Sequence, residues 1–156
     1  MTPTTNNQQP TIVFNILFVC LGNSCRSPMA EVMFNKYASE AGLKAYSTSA
    51  GLMAYSGGRA AENAILTMEN RGIDLNNHQS RFIEDEILEE ADLILVMEDS
   101  QLGEIPERYR DKAHLFTRYS SDVDEDIFDP IGADLSTYRQ CADLIHKHMQ
   151  NLIEKL

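Results

Sequence analysis

Cys20 and Arg26 are separated by five residues, Leu21, Gly22, Asn23, Ser24 and Cys25, and the stretch runs on into Ser27 and Pro28. A thiol and a guanidinium at this spacing can be brought to the same anion by one loop. A loop that wraps the N-terminus of a helix turns several unpaired backbone N–H groups toward one point, and the helix dipole adds positive potential there. That point suits a phosphate or a similar oxyanion. The same field favours the thiolate of a cysteine at its base, so the phosphate cradle becomes a nucleophile aimed at phosphorus. Arg26 offers a planar fork of donors that can hold two phosphoryl oxygens and stabilise the charge of the transferring group. A bare spacing of this kind recurs by chance, and its weight comes from lying between a strand and a helix. A buried cysteine in an ordinary turn is the competing reading, and it leaves the agreement of motif and context unexplained.

The flanking elements supply that context. Residues 12 to 19 are nearly continuously apolar, as in a central strand buried on both faces of a parallel sheet. Ser27 as N-cap and Pro28 at the first helical position open a helix whose Ala30, Met33, Phe34, Tyr37 and Ala38 recur at helical spacing up to Gly42. A short strand is predicted over 44–49, a helix over 59–71 stopped by Gly72, an acidic helix over 83–90 and a buried strand over 93–97. A helix interrupted near Pro106 and a weaker strand over 113–116 follow. Residues 117 to 134 are polar, acidic and unpatterned, long enough to read as a functional loop. The last helix, about 136–155, places Tyr138, Cys141, Ala142, Ile145, Met149 and Leu152 on one stripe, so Cys141 reads as core. Alternating strands and helices define an α/β fold with a parallel sheet and right-handed crossovers.

The length of 156 residues fits one domain, 12–156, after a loose polar tail over 1–11. A formal charge of −11 argues against non-specific nucleic-acid binding and against an anionic membrane surface, because both need a positive footprint. Phosphate affinity must then be local to the loop. Three cysteines, an odd number, and a start without a signal-like core point to a reducing, cytoplasmic setting. The longest apolar run is far too short to span a bilayer. His114, His146 and His148 carry no metal-ligand pattern, and the chemistry calls for no metal or other cofactor.

Cys20 to Ser27, followed by Pro28, Met29, Ala30 and Glu31, resembles the signature loop of the low-molecular-weight protein tyrosine phosphatase family. Every fixed letter of C-x-G-N-x-C-R-S-P is present, and the resemblance covers nearly the whole chain from Ile12 onward. It implies a four-stranded parallel sheet, order 2-1-3-4, with helices on both faces. It further implies a protein phosphatase that hydrolyses phosphotyrosine monoesters of a protein substrate through a phosphocysteine. Cys20 would be the nucleophile and Arg26 the phosphoryl clamp. Leu21, Gly22, Asn23, Ser24, Cys25 and Ser27 would form the phosphate-binding loop, with Ser27 donating to the Cys20 thiolate and His78 bracing Asn23. The same resemblance assigns Cys25 a reversible disulfide with Cys20, against the plain reading of a small packing residue.

The leaving group needs a proton and the phosphocysteine an activated water, and one carboxyl group can serve both steps. Asp129, restricted by Pro130, matches the family's downstream Asp-Pro pair, whereas Asp122, Asp124, Glu125 and Asp126 read as solvated charges. Many tyrosine-specific members carry a bulky aliphatic residue at Ser24 and an aromatic pair where this chain has Ile131 and Gly132. A small hydroxyl at Ser24 could hydrogen-bond a guanidinium, and the sequences around Arg108 to Lys112 and Asp129 to Gly132 are similar to the protein-arginine phosphatases of the family. Tyr55 could restore an aromatic wall or be an exposed loop residue. Thiol-dependent arsenate reduction is a rival on the same scaffold, but it needs a further cysteine pair between Arg71 and Ser100, and none is there. A non-catalytic phosphoprotein-binding module is disfavoured by the presence of nucleophile, arginine and acid together.

Overall fold

The apolar run after Val13 forms β1, Phe14–Cys20, and this strand is central: it pairs in parallel with β2, Ala45–Gly51, on one side and β3, Leu93–Val96, on the other. β4, Ala113–Leu115, flanks β3, which gives a four-stranded sheet of order 2-1-3-4. The computed structural model describes residues 13–156; the stretch 1–11, expected to be a tail, lies outside them.

The period of two along β1 divides the core between the faces of the sheet. Ile16 and Phe18 join α1, Arg26–Glu40, α2, Glu62–Glu69, α4, Phe116–Ser121, and α5, Leu135–Lys155, through Met33, Phe34, Met68, Phe116 and Ile145. Leu17 and Val19 face the other way, toward Leu88 of α3, Asp85–Glu90, and toward Ile105 and Tyr109. Helices on both faces explain why β1 and β3 are apolar without alternation.

Three local expectations change. α1 begins at Arg26 with Cys25 as its N-cap, so Ser27 is not the cap and Pro28 is the third helical residue. The proline is tolerated there because the first-turn N–H groups lack helical partners in any case. The segment after β3 is two 3₁₀ turns, Asp99–Glu104 and Glu107–Lys112, meeting at Ile105 and Pro106, instead of one interrupted helix. The expected loop over 117–134 starts with α4, whose Phe116 ring meets Phe18 edge-on at 5.7 Å. The helix is too short for periodicity to betray it.

The sheet order places a topological switch at the β1–β3 boundary, because the chain leaves β1 toward β2 and returns on the opposite side to lay down β3. Open parallel sheets bind ligands in the crevice outside the carboxyl ends of the strands at such a point. Cys20 ends β1 there, and Glu98 follows two residues after the end of β3.

Candidate active site

The loop between β1 and α1 is held from below. Asn23 adopts a left-handed backbone, φ +53°, which its short polar side chain tolerates. Its Nδ2 donates to Ser27 Oγ at 2.8 Å and to Ser49 Oγ at 2.9 Å, and its Oδ1 accepts from the Arg81 N–H at 2.9 Å. Its carbonyl oxygen is 2.8 Å from His78 Nε2 and accepts from Ser80 Oγ at 2.8 Å. Ser49 in turn donates to the half-buried carboxyl of Glu31 at 2.6 Å, and loss of solvent around it pushes that carboxyl above the ordinary glutamate range. The loop also rests directly on Gly51, where a Cβ would stand 2.8 Å from the Leu21 carbonyl oxygen and 2.9 Å from the Asn23 nitrogen.

On this platform Cys20 Sγ lies 2.9 Å from Ser27 Oγ. Ser27, freed from capping, presents its hydroxyl to the thiol while accepting from Asn23. No side chain caps α1, so its first-turn N–H groups remain available to an anion. Cys25 also borders this centre, with its Sγ 3.2 Å from Tyr138 Oη, and burial raises its thiol pKa. Cys141 lies wholly in the core, as expected, and burial pushes its thiol up to about 12.

Arg26 is 1% exposed, yet all its named partners are polar. Nη1 donates to Glu98 Oε2 at 2.6 Å and to the Ile127 carbonyl at 2.9 Å, and Nη2 stands 3.4 Å from Asp129 Oδ2. Burial by itself would favour the neutral guanidine; the hydrogen bond to Glu98 and the charges of Cys20 and Asp129 outweigh it and raise the pKa. A buried cation is tolerated on these terms, paired and hydrogen-bonded. Glu98 was not singled out from sequence. Its position just past the end of β3, the strand beside β1, was the available signal.

These residues surround a small cavity of about 120 Å³ lined by Cys20, Leu21, Gly22, Ser24, Cys25, Arg26, Asp129 and Ile131. The thiol, the guanidinium and the carboxyl predicted to act together therefore share one cleft, with Ser24 and Ile131 at its wall. Tyr55 is not in the lining and is 89% exposed, so the structure does not bring it to the cavity. The acidic neighbours of Asp129 are exposed, as expected, and three of them also make polar contacts. Asp124 pairs with Arg118 at 2.5 Å, Asp126 Oδ1 accepts from the Asp99 N–H at 2.8 Å, and Glu125 reaches His148.

A cysteine-ended strand, a helix without a side-chain cap and a clamped arginine stand at the switch point of a four-stranded parallel sheet in a single α/β domain. The family model described as low molecular weight phosphotyrosine protein phosphatase matches residues 15–156, and the chain belongs to that family. It is 36% identical over 149 residues to a protein-arginine-phosphatase of Bacillus subtilis, covering 91% of this chain and 96% of that one. It is 32% identical over 145 residues to a probable low molecular weight protein-tyrosine-phosphatase, EpsP, of Ralstonia nicotianae, covering 93% and 97%. Among solved structures, a mutant of the YwlE arginine phosphatase with a phosphorylated active-site serine superposes with a TM-score of 0.89 at 35% identity, covering 92% of this chain and 95% of that one. No helix among the described residues is long and apolar enough to cross a membrane.

Proposed function

We propose that this phosphatase cleaves phosphotyrosine in protein substrates through a phosphocysteine intermediate. The observation that carries the reading is the shared cleft in which Cys20, Arg26 and Asp129 line one small cavity. Cys20 attacks phosphorus as the thiolate. The backbone N–H groups of the loop and the Arg26 fork hold the phosphoryl oxygens, and they count most where charge grows in the transition state. Asp129, 3.4 Å from the guanidinium, hands its proton to the departing oxygen and then takes one from the water that releases phosphate. Ser27 donates to Cys20 whenever the thiolate is regenerated. His78 and Ser80 grip the Asn23 carbonyl and keep the loop in shape.

A second leaving group is favoured by the cavity wall. No aromatic ring is among the lining residues, and Ser24 contributes a small hydroxyl where a flat phenol would gain from a bulky apolar side chain. Phosphoarginine fits that wall, and the arginine phosphatase named among the relatives supports the same alternative. Arsenate reduction is opposed by burial of all three cysteines, which leaves no exposed thiol to pass a disulfide outward.

The experiment is the Cys20→Ser variant assayed with an aryl phosphate and titrated with inorganic phosphate. Turnover should fall by at least about a thousandfold while phosphate binding persists, because the nucleophile is lost and the cradle stays. Substantial remaining turnover would defeat the mechanism.

A further inference from the structure

One buried titratable side chain has no part in the chemistry above. His148, on α5, is 1% exposed, with Nδ1 2.6 Å from Ser121 Oγ and Nε2 3.3 Å from Glu125 Oε1. Asn151 Nδ2, one helical turn further on, donates to the same Ser121 oxygen at 2.8 Å. With an uncharged ring the directions close in one way. The Asn151 amide donates to Ser121, the Ser121 hydroxyl donates to Nδ1, and the Nε2 hydrogen is given to the Glu125 carboxylate. The Phe116 ring stands against the imidazole at 6.1 Å with an interplanar angle of 73°, fixing its plane.

The partners of His148 are placed where the acid-bearing segment begins. Ser121 is the last residue of α4, and Glu125 precedes Asp129 by four residues. Thr117 Oγ1 grips the Glu125 carbonyl from the other side. Beyond Glu125 the chain is held by Ile127 N–H to the Met97 carbonyl at 2.9 Å, by Arg26 on the Ile127 carbonyl, and by the Cys141 thiol on the Phe128 carbonyl at 3.5 Å. Asp122, Asp124, Glu125, Asp126 and Asp129 crowd carboxylates into this stretch, and their mutual repulsion would splay it without anchors.

We propose that His148 is a positioning residue for Asp129: through Ser121 and Glu125 it ties the start of the acid loop to the rigid helix α5 and so fixes where the carboxyl stands over the cleft. The proposal rests on the reading of Asp129 as the general acid. A general acid acts only within hydrogen-bond reach of the departing atom, and a small misplacement of it lowers the rate without disturbing phosphate binding.

The test uses two aryl phosphates with the intact protein. Phenyl phosphate releases a poor leaving group that needs the proton of Asp129, and 2,4-dinitrophenyl phosphate releases a good one that does not. His148→Phe keeps an aromatic ring against Phe116 and loses both hydrogen bonds, and Glu125→Ala removes one of those bonds at a side chain 49% exposed, so folding is spared. Both variants should lose about tenfold in kcat/KM on phenyl phosphate and less than about twofold on the dinitrophenyl ester, with unchanged inhibition by inorganic phosphate. Equal losses on both esters, no loss on either, or weakened phosphate inhibition would overturn the proposal. Asp129→Asn is run beside them. If it discriminates between the esters and the His148 and Glu125 variants do not, the positioning role alone fails; if it treats both esters alike, the acid assignment fails and the positioning role goes with it.

Discussion

The guanidinium of Arg26 donates from Nη1 to the carbonyl oxygen of Ile127 at 2.9 Å, although the two residues lie 101 positions apart in the chain. One side chain at the start of α1 thus holds the backbone of the loop that carries Asp129, and the two halves of the proposed chemistry share a mechanical link. Nη2 faces Asp129 while Nη1 is occupied by Glu98 and Ile127, so the fork has one edge given to structure and one directed toward the cleft.

Glu98 fixes that division. Glu98→Ala leaves a 1% exposed cation without its 2.6 Å carboxylate, and breaking a buried pair from one side costs about 3–5 kcal/mol in full burial. Glu98 itself is 33% exposed, which reduces the figure to about 1–3 kcal/mol once solvent screening is allowed for. Thermal denaturation should show a clear loss of stability, and kcat/KM for an aryl phosphate should fall about tenfold or more. A variant as stable and active as wild type would mean that Arg26 is oriented by something else.

Gly51 is expected to be intolerant of any side chain. A Cβ there would meet two backbone atoms of the phosphate loop at 2.8 and 2.9 Å, and backbone cannot step aside as a flexible side chain can. Gly51→Ala should cost about 1–3 kcal/mol of stability and weaken competitive inhibition by inorganic phosphate. An alanine variant with unchanged phosphate affinity would show that the loop is not seated on this residue.

Burial raises the Cys25 and Cys141 thiols above the ordinary range, so near neutral pH both stay protonated and poorly nucleophilic. Alkylation with iodoacetate at pH 7 should therefore place the first equivalent on Cys20, and inorganic phosphate should protect it. Labelling of Cys25 and Cys141 should increase only as the pH rises toward their elevated pKa values. Peptide mapping that found Cys25 or Cys141 modified first would contradict this ordering.

Ser24 and Ile131 line the cleft and Tyr55 does not, so selectivity between leaving groups is expected to respond to position 24. Ser24→Ile should raise the ratio of kcat/KM for a phosphotyrosine peptide over a phosphoarginine peptide by about tenfold, since it exchanges a hydrogen-bonding group for an apolar wall. An unchanged ratio would remove Ser24 from the account of specificity, and Tyr55→Ala is expected to change it little.

Much of this was legible in the chain itself. The strand, the loop and the helix around Cys20 announce themselves because an unbroken apolar run, a glycine-bearing turn and a proline fall in order, and the sheet order followed from the family pattern. Other features were hidden for physical reasons. Ser27 has the side chain of a helix cap, but it lies inside the helix; its hydroxyl meets Cys20, as the family pattern implied, and also accepts from Asn23, which no local spacing encodes. The α4 helix is six residues long, too short for a periodic stripe to emerge from polar neighbours. Glu98 and His148 act through partners 72 and 23 positions away, and no local spacing encodes such pairings. Tyr55 illustrates the reverse: an aromatic residue in a suggestive loop that the fold leaves 89% exposed.

The central claim is that phosphate leaves substrate by way of Cys20. Quenching the wild-type protein in acid during turnover of an aryl phosphate, then mapping the peptides by mass spectrometry, tests it most directly. One phosphoryl group is expected on the peptide containing Cys20; with 2,4-dinitrophenyl phosphate, whose departure does not need the proton of Asp129, it should accumulate further in Asp129→Asn, where its hydrolysis lacks a general base. Full turnover with no phosphoryl group on that peptide at any time point, in a protein whose Cys20→Ser variant also stays active, would contradict it.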